Sequence, residues 1–152
     1  MELATRKKLT PLMRQYEDAK ATYPDAILFF RLGDFYEMFH QDALVASQAL
    51  SLTLTSRDKG EDGVPMCGVP YHSAHGYIAK LLALGHKVAI CEQLADPSKV
   101  KGIVPRQVVR VVTPGLITDT EQLEARENHY LMAVDAEEGG APGIALLDLS
   151  TG

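Results

Sequence analysis

Between Arg31 and Phe39 the chain reads RLGDFYEMF, which sets Phe35, Tyr36 and Phe39 beside the acids Asp34 and Glu37. In an extended strand alternate side chains share a face, so Phe35 and Glu37 point together while Tyr36 points away. Burying Phe35 would drag a carboxylate toward the core, at high cost unless it is paired. Exposing both would leave an aromatic ring in water. A ligand that is flat and also forms hydrogen bonds resolves the conflict, and a nucleobase is such a ligand. A ring wedges most easily into a kinked or poorly stacked base step. A carboxylate repels phosphate, so beside that ring it serves a base edge, accepting from a ring N–H or, if protonated, donating to a ring nitrogen. Arg57, Lys59, Arg106 and Arg110 are the cations that would hold a nucleic-acid backbone.

The same residues admit other chemistry. Asp34, Glu37 and Glu92 lie near strand ends, as the acids of a metal-dependent nuclease would. Glu92 is followed by Gln93 and Leu94, however, so the Glu-x-Lys pair of such enzymes is missing, and Asp34 reads as a turn residue. His72 and His75 stand three apart without an evident third ligand. No G-x-x-x-x-G-K-[ST] occurs, so the chain holds no P-loop. A third reading makes Phe35 the anchor of a protein-binding surface.

These residues need a scaffold, and the chain supplies one. Thr10 and Pro11 open a helix that carries Leu12, Met13, Tyr16, Ala19 and Lys20 at helical spacing and stops at Pro24. AILFFRL, residues 26–32, is apolar enough for a strand covered on both faces. Gly33-Asp34 signals a turn into FYEMF, which suggests an antiparallel pair. A second helix follows, with apolar residues at 44, 45, 49, 50 and 52, then a strand over 52–57 and a polar loop over 58–63. VPMCGVPYHS contains Pro65 and Pro70, which argue against a central strand, so it reads as extended and irregular. Ser73 caps a third helix that ends at Gly85, and strands follow at HKVAICEQL and RQVVRVVTPG. Helices alternating with strands predict an α/β sandwich, a mixed β-sheet flanked by helices. Tyr16, Phe29, Phe30 and Tyr77 are expected in the core, Cys91 as a small buried filler, and Phe39 beneath the sheet.

With 152 residues, 46% hydrophobic and 23% charged, the chain can build a full core. Residues 1–115 hold 14 Lys/Arg against 12 Asp/Glu, and residues 116–152 hold 1 against 8, so the net charge of −5 belongs to the last quarter. From Pro97 to Thr118 there are Lys99, Lys101, Arg106 and Arg110 and no acid, a candidate anion-facing strip. Cys67 and Cys91 are not spaced for zinc and read as reduced, buried thiols. No stretch approaches the roughly 18 apolar residues of a membrane span, and the N-terminus has no apolar run of the signal-peptide kind. A soluble, cytoplasmic protein is expected. After residue 116 an acidic linker over 117–128 leads to strands at 130–135 and 143–149 around GGAPG, a hairpin that would leave apolar faces unburied. The expectation is a chain cut shortly after a second domain, 129–152, begins.

Five segments carry a resemblance: TPLMRQY, LFFRLGDFYEMF, GVPMCGVPYH, KVAICEQL and RVVTPG, in this order and at these separations. Over about residues 9 to 117 the chain resembles the N-terminal mismatch-recognition domain of the MutS DNA mismatch repair proteins. Its tail is similar to the opening hairpin of their connector domain. The resemblance implies that Phe35 enters the minor groove and stacks on a mispaired or unpaired base, and that Glu37 hydrogen-bonds that base. It implies that the loop with Met66 packs against kinked DNA and that Arg57 and Arg106 approach the backbone. It further implies a parent protein with an ATPase using ATP and Mg, a homodimer and a MutL-type partner, all beyond residue 152. This segment itself would be a non-enzymatic reader of duplex DNA with mismatches or small unpaired loops.

Overall fold

The computed structural model describes residues 9–57, 63–114, 128, 130–135 and 143–148. The chain divides into two units, 1–112 and 113–152. In the first, α1 (Pro11–Thr22) precedes the strands β1 (Ala26–Leu32) and β2 (Phe35–Phe39). Then come α2 (His40–Leu50), β3 (Thr55–Ser56) and β4 (Pro65–Pro70), followed by α3 (Ala74–Ala83), β5 (Lys87–Gln93) and β6 (Arg106–Val112). This is the expected alternation. The strands form one mixed sheet in the order β3-β4-β2-β1-β5-β6. Only β1 and β5 run parallel, and the other neighbours are antiparallel.

The sequence explains the main joints. The Thr10 hydroxyl accepts from the Met13 N–H at 3.3 Å and caps α1. Gly33 has φ +59, and a two-residue turn with Gly in its first central position joins β1 to β2. Gly85, just past α3, has φ +86, the left-handed end that favours glycine. Ser73 precedes α3 but does not cap it with its side chain. Its hydroxyl instead donates to the Pro70 carbonyl across a 3-10 turn at Tyr71–Ser73.

The two faces of the sheet carry separate cores. α2 and α3 cover one, where Phe29, Tyr36, Met38, Cys67, Val69 and Val88 are buried. α1 packs on the other, mainly over β1 and β6, with Met13, Tyr16, Leu28, Phe30, Phe39 and Cys91. Phe39 is thus fully buried, yet on the same face as Phe35 and Glu37, as strand alternation requires. Tyr16, Phe29 and Phe30 are core as expected, whereas Tyr77 is only half-buried beside the Lys80 ammonium. In α2 the buried positions are Asp42, Ala43, Ala46 and Leu50, and Leu44 is exposed. Small alanines, rather than the larger apolar residues at 44 and 45, let this helix approach the sheet closely.

Two strand boundaries differ from expectation. β3 is only Thr55–Ser56, and β4 is a true inner strand, paired to β2 over Pro70 to Met66 and to β3 at Met66 and Pro65. The prolines are tolerated because they are its first and last residues. In the second unit, β7 (Tyr130–Asp135) and β8 (Gly143–Asp148) form an antiparallel hairpin with Leu131, Val134, Ile144 and Leu146 exposed. The expected linker lies outside the described residues, apart from Asn128. No helix among the described residues is long and apolar enough to cross a membrane.

Candidate nucleic-acid interface

The β1–β2 hairpin sets the register of the candidate residues. Leu32 pairs with Phe35, Arg31 with Tyr36 and Phe30 with Glu37. On its other side β2 places Phe35 against Pro70, Glu37 against Gly68 and Phe39 against Met66. Phe35 is 48% exposed, at the turn end of the strand, while Phe39 at the other end is fully buried. Glu37 lies between them, half-buried. The side of the sheet that α1 covers near β1 and β6 is therefore most exposed toward the Phe35 end of β2, among the described residues.

Gly68 packs directly against this stretch of β2, tightest on the Tyr36 carbonyl and in ordinary contact with Glu37. A Cβ there would stand 3.5 Å from the Glu37 Cγ and 3.2 Å from the Tyr36 carbonyl oxygen. A lone glycine in a strand marks such a close approach. That signal was present in PMCGVP, but only the pairing shows which residue Gly68 faces. Among the described residues no donor bonds the Glu37 carboxylate. Burial raises its pKa above the usual carboxylate value, and the Arg57 charge works in the opposite direction. Arg57 follows the short strand β3, and its guanidinium carbon lies 5.7 Å from the Phe39 ring centroid. Met66 is half-buried and packs against the core beneath α1. Phe35, Glu37, Gly68, Met66 and Arg57 therefore belong to one continuous face.

The remaining cations are placed elsewhere. β6 lies three strand spacings from β2, about 14 Å across the sheet. Arg106 is turned inward there. It donates from Nε to the Arg31 carbonyl at 2.7 Å, and its terminal nitrogens reach the Val104 carbonyl at 2.8 Å and Gln15 at 3.3 Å. Arg110 is exposed and pairs with Ile90, whose side chain joins the core under α2 and α3, so it points to the opposite face from Glu37. Lys99 and Lys101 are exposed. The acid-free segment is thus not a single strip. Lys59 lies outside the described residues.

The carboxylates of the nuclease reading do not converge. Glu92 adjoins Cys91, which is buried on the Glu37 side, so Glu92 projects to the other face and accepts a hydrogen bond from the Tyr36 hydroxyl. The Asp34 carbonyl accepts from the Tyr71 N–H at 2.9 Å in the turn. Among the described residues no three His, Cys, Asp or Glu side chains stand together as a metal site. Cys67 and Cys91 are free and buried, and burial pushes both thiols up to about 11, well away from reactive thiolate.

Fold and site together define a class: a mixed-sheet α/β domain that presents from one strand an aromatic ring and a carboxylate with no hydrogen-bond donor among the described residues. Residues 10–121 match the model of MutS domain I, and the chain belongs to that family. It is 72% identical to a DNA mismatch repair protein MutS from Sorangium cellulosum over 98% of this chain and 17% of that relative. It is 64% identical to MutS from Anaeromyxobacter dehalogenans over 94% of this chain and 16% of the relative. With MutS from a Geobacillus species the identity is 58%, over 94% of this chain and 17% of the relative. The chain thus spans about a sixth of the length of the curated relatives it matches.

Proposed function

We propose that this domain reads mispaired or unpaired bases in duplex DNA, as part of a longer DNA mismatch repair protein. One observation carries the proposal. Phe35 and Glu37 share one sheet face, the ring half in water and the carboxylate half-buried without a donor among the described residues. Phe35 is the wedge that stacks on the faulty base. Glu37 hydrogen-bonds that base's edge in the minor groove. Unstacking a step costs a few kcal/mol, and less where pairing is already faulty, so one ring can serve many mismatches. Met66 packs against the kinked duplex, and Arg57 with Lys59 holds the adjacent backbone. Arg110, on the opposite face, and Arg106, occupied within the fold three strands away, add only long-range positive charge.

The rest of the proposal concerns the parent. An ATPase holding ATP and Mg, a homodimer and a MutL-type partner belong to parts of the longer protein outside this chain, which carries no P-loop. The reader itself is non-enzymatic and works in the cytoplasm.

The test is a titration at low salt with a duplex carrying one unpaired T and with its fully paired counterpart. It uses the longer MutS protein and its Phe35→Ala and Glu37→Ala variants. We expect Phe35→Ala to abolish the preference for the bulged duplex while leaving paired-duplex affinity within about twofold, because stacking is worth about 1–3 kcal/mol per base. A preference that survives Phe35→Ala would make the ring structural and overturn the proposal.

A further inference from the structure

We propose that Tyr36, acting through Glu92 and Arg31, is a positioning residue that holds the Phe35–Glu37 segment rigid for base stacking. The inference rests on the reading of Phe35 and Glu37 given above and adds residues on the opposite face of the sheet.

Tyr36 stands between the two reading residues and projects the other way. Its ring is buried, 5.8 Å from that of Phe29. Its hydroxyl donates to one carboxylate oxygen of Glu92. The other Glu92 oxygen lies 3.7 Å from the Arg31 guanidinium. Arg31 also donates through Nε to the Gly33 carbonyl and stacks on Tyr71, with its guanidinium carbon 3.7 Å from the ring centroid. Two backbone ties complete the brace, from Tyr71 N–H to the Asp34 carbonyl at 2.9 Å and from Arg106 Nε to the Arg31 carbonyl at 2.7 Å. The Gly33-Asp34 turn is thus tied to β1, β5, the end of β4 and the start of β6. Burial, then Glu92, pushes the Tyr36 hydroxyl up to about 12, so it remains a donor at neutral pH.

A purely structural strand would not need this brace at its turn end. A wedge does. Entering a base stack loads the ring with a few kcal/mol of unstacking. A ring on a loose turn would give way, and ordering the turn on binding would subtract from affinity. The brace supplies that order in advance, as a rigid shell behind a binding residue should. No member of it needs to touch DNA.

The experiment repeats the two-duplex titration with four variants of the longer protein, together with a thermal melt of each. Phe35→Ala tests the underlying reading. Tyr36→Phe removes only the hydroxyl and keeps the buried ring. Glu92→Ala removes the acceptor, and Glu92→Gln keeps an oxygen that accepts. We expect Tyr36→Phe and Glu92→Ala to lower the ratio of bulged to paired affinity by about three- to tenfold, the range one lost hydrogen bond can move. Paired-duplex affinity and melting temperature should stay close to wild type, and Glu92→Gln should restore most of the ratio. If Phe35→Ala abolishes the ratio while Tyr36→Phe and Glu92→Ala keep it, the positioning role is wrong and the wedge stands. A loss of both affinities together with early melting would make the cluster merely structural and also overturn the inference. A ratio that survives Phe35→Ala removes the reading on which the inference rests.

Discussion

Glu37 is a carboxylate held where charge is unfavourable. It faces Phe30 on one side and Gly68 on the other, and Arg57 only partly offsets its burial. The raised pKa has a definite consequence for stability. Between the ordinary carboxylate value of 4.5 and Glu37's higher folded value, the folded chain binds more protons than the unfolded one. Stability contributed by this group therefore falls as pH rises through that window, and the penalty is fully present above it. Glu37→Gln should remove the penalty. We expect its melting temperature to exceed wild type at neutral pH and to converge with it below the window. Melting curves of both chains across that pH range check this, and a variant that melts earlier at neutral pH would show that the charged form is stabilised instead. The conflict at Glu37 was legible from the spacing of Phe35 and Glu37 alone. That Gly68 stands beside it was not, because Gly68 becomes its neighbour only when β4 pairs with β2.

At the scale of elements, one buried acid joins α1, β1 and α2. Asp42 accepts from the Tyr16 hydroxyl at 3.1 Å, the Leu28 N–H at 2.9 Å and the Lys20 ammonium at 2.8 Å. Lys20 also donates to the Ala26 carbonyl at 2.6 Å. These bonds fix α1 over β1. Asp42→Ala should cost about 2–4 kcal/mol, since it leaves an amide and an ammonium without their acceptor. Tyr16→Phe should cost less, about 1–2 kcal/mol, because the Leu28 N–H and Lys20 keep Asp42 and only the Phe39 N–H, 3.3 Å from the hydroxyl, loses an acceptor. Urea denaturation of the two variants measures the difference, and equal costs would contradict this ranking. Helix α1 was readable from its cap and apolar spacing, but nothing in the spacing of residues singles out Asp42. β4 was misread for a related reason. Prolines weaken a strand by position, and their harmlessness at its two ends shows only in the pairing.

Across the whole chain, charge and reading surface are separated. The first 115 residues carry a balance of +2 and the last 37 a balance of −7. Among the described residues, this face groups only Arg57 with Phe35 and Glu37, so on the proposed reading phosphate attraction would contribute little there and selectivity would rest on the ring and the base. The central claim is that Phe35 senses the base itself. A double-mutant cycle tests it directly, with wild-type and Phe35→Ala versions of the longer protein. Each is titrated with duplexes carrying an unpaired T or an unpaired abasic residue at the same position. We expect a coupling of about 1–3 kcal/mol between the ring and the base, the worth of one base–aromatic stack. A coupling indistinguishable from zero would mean that Phe35 does not stack on the unpaired base.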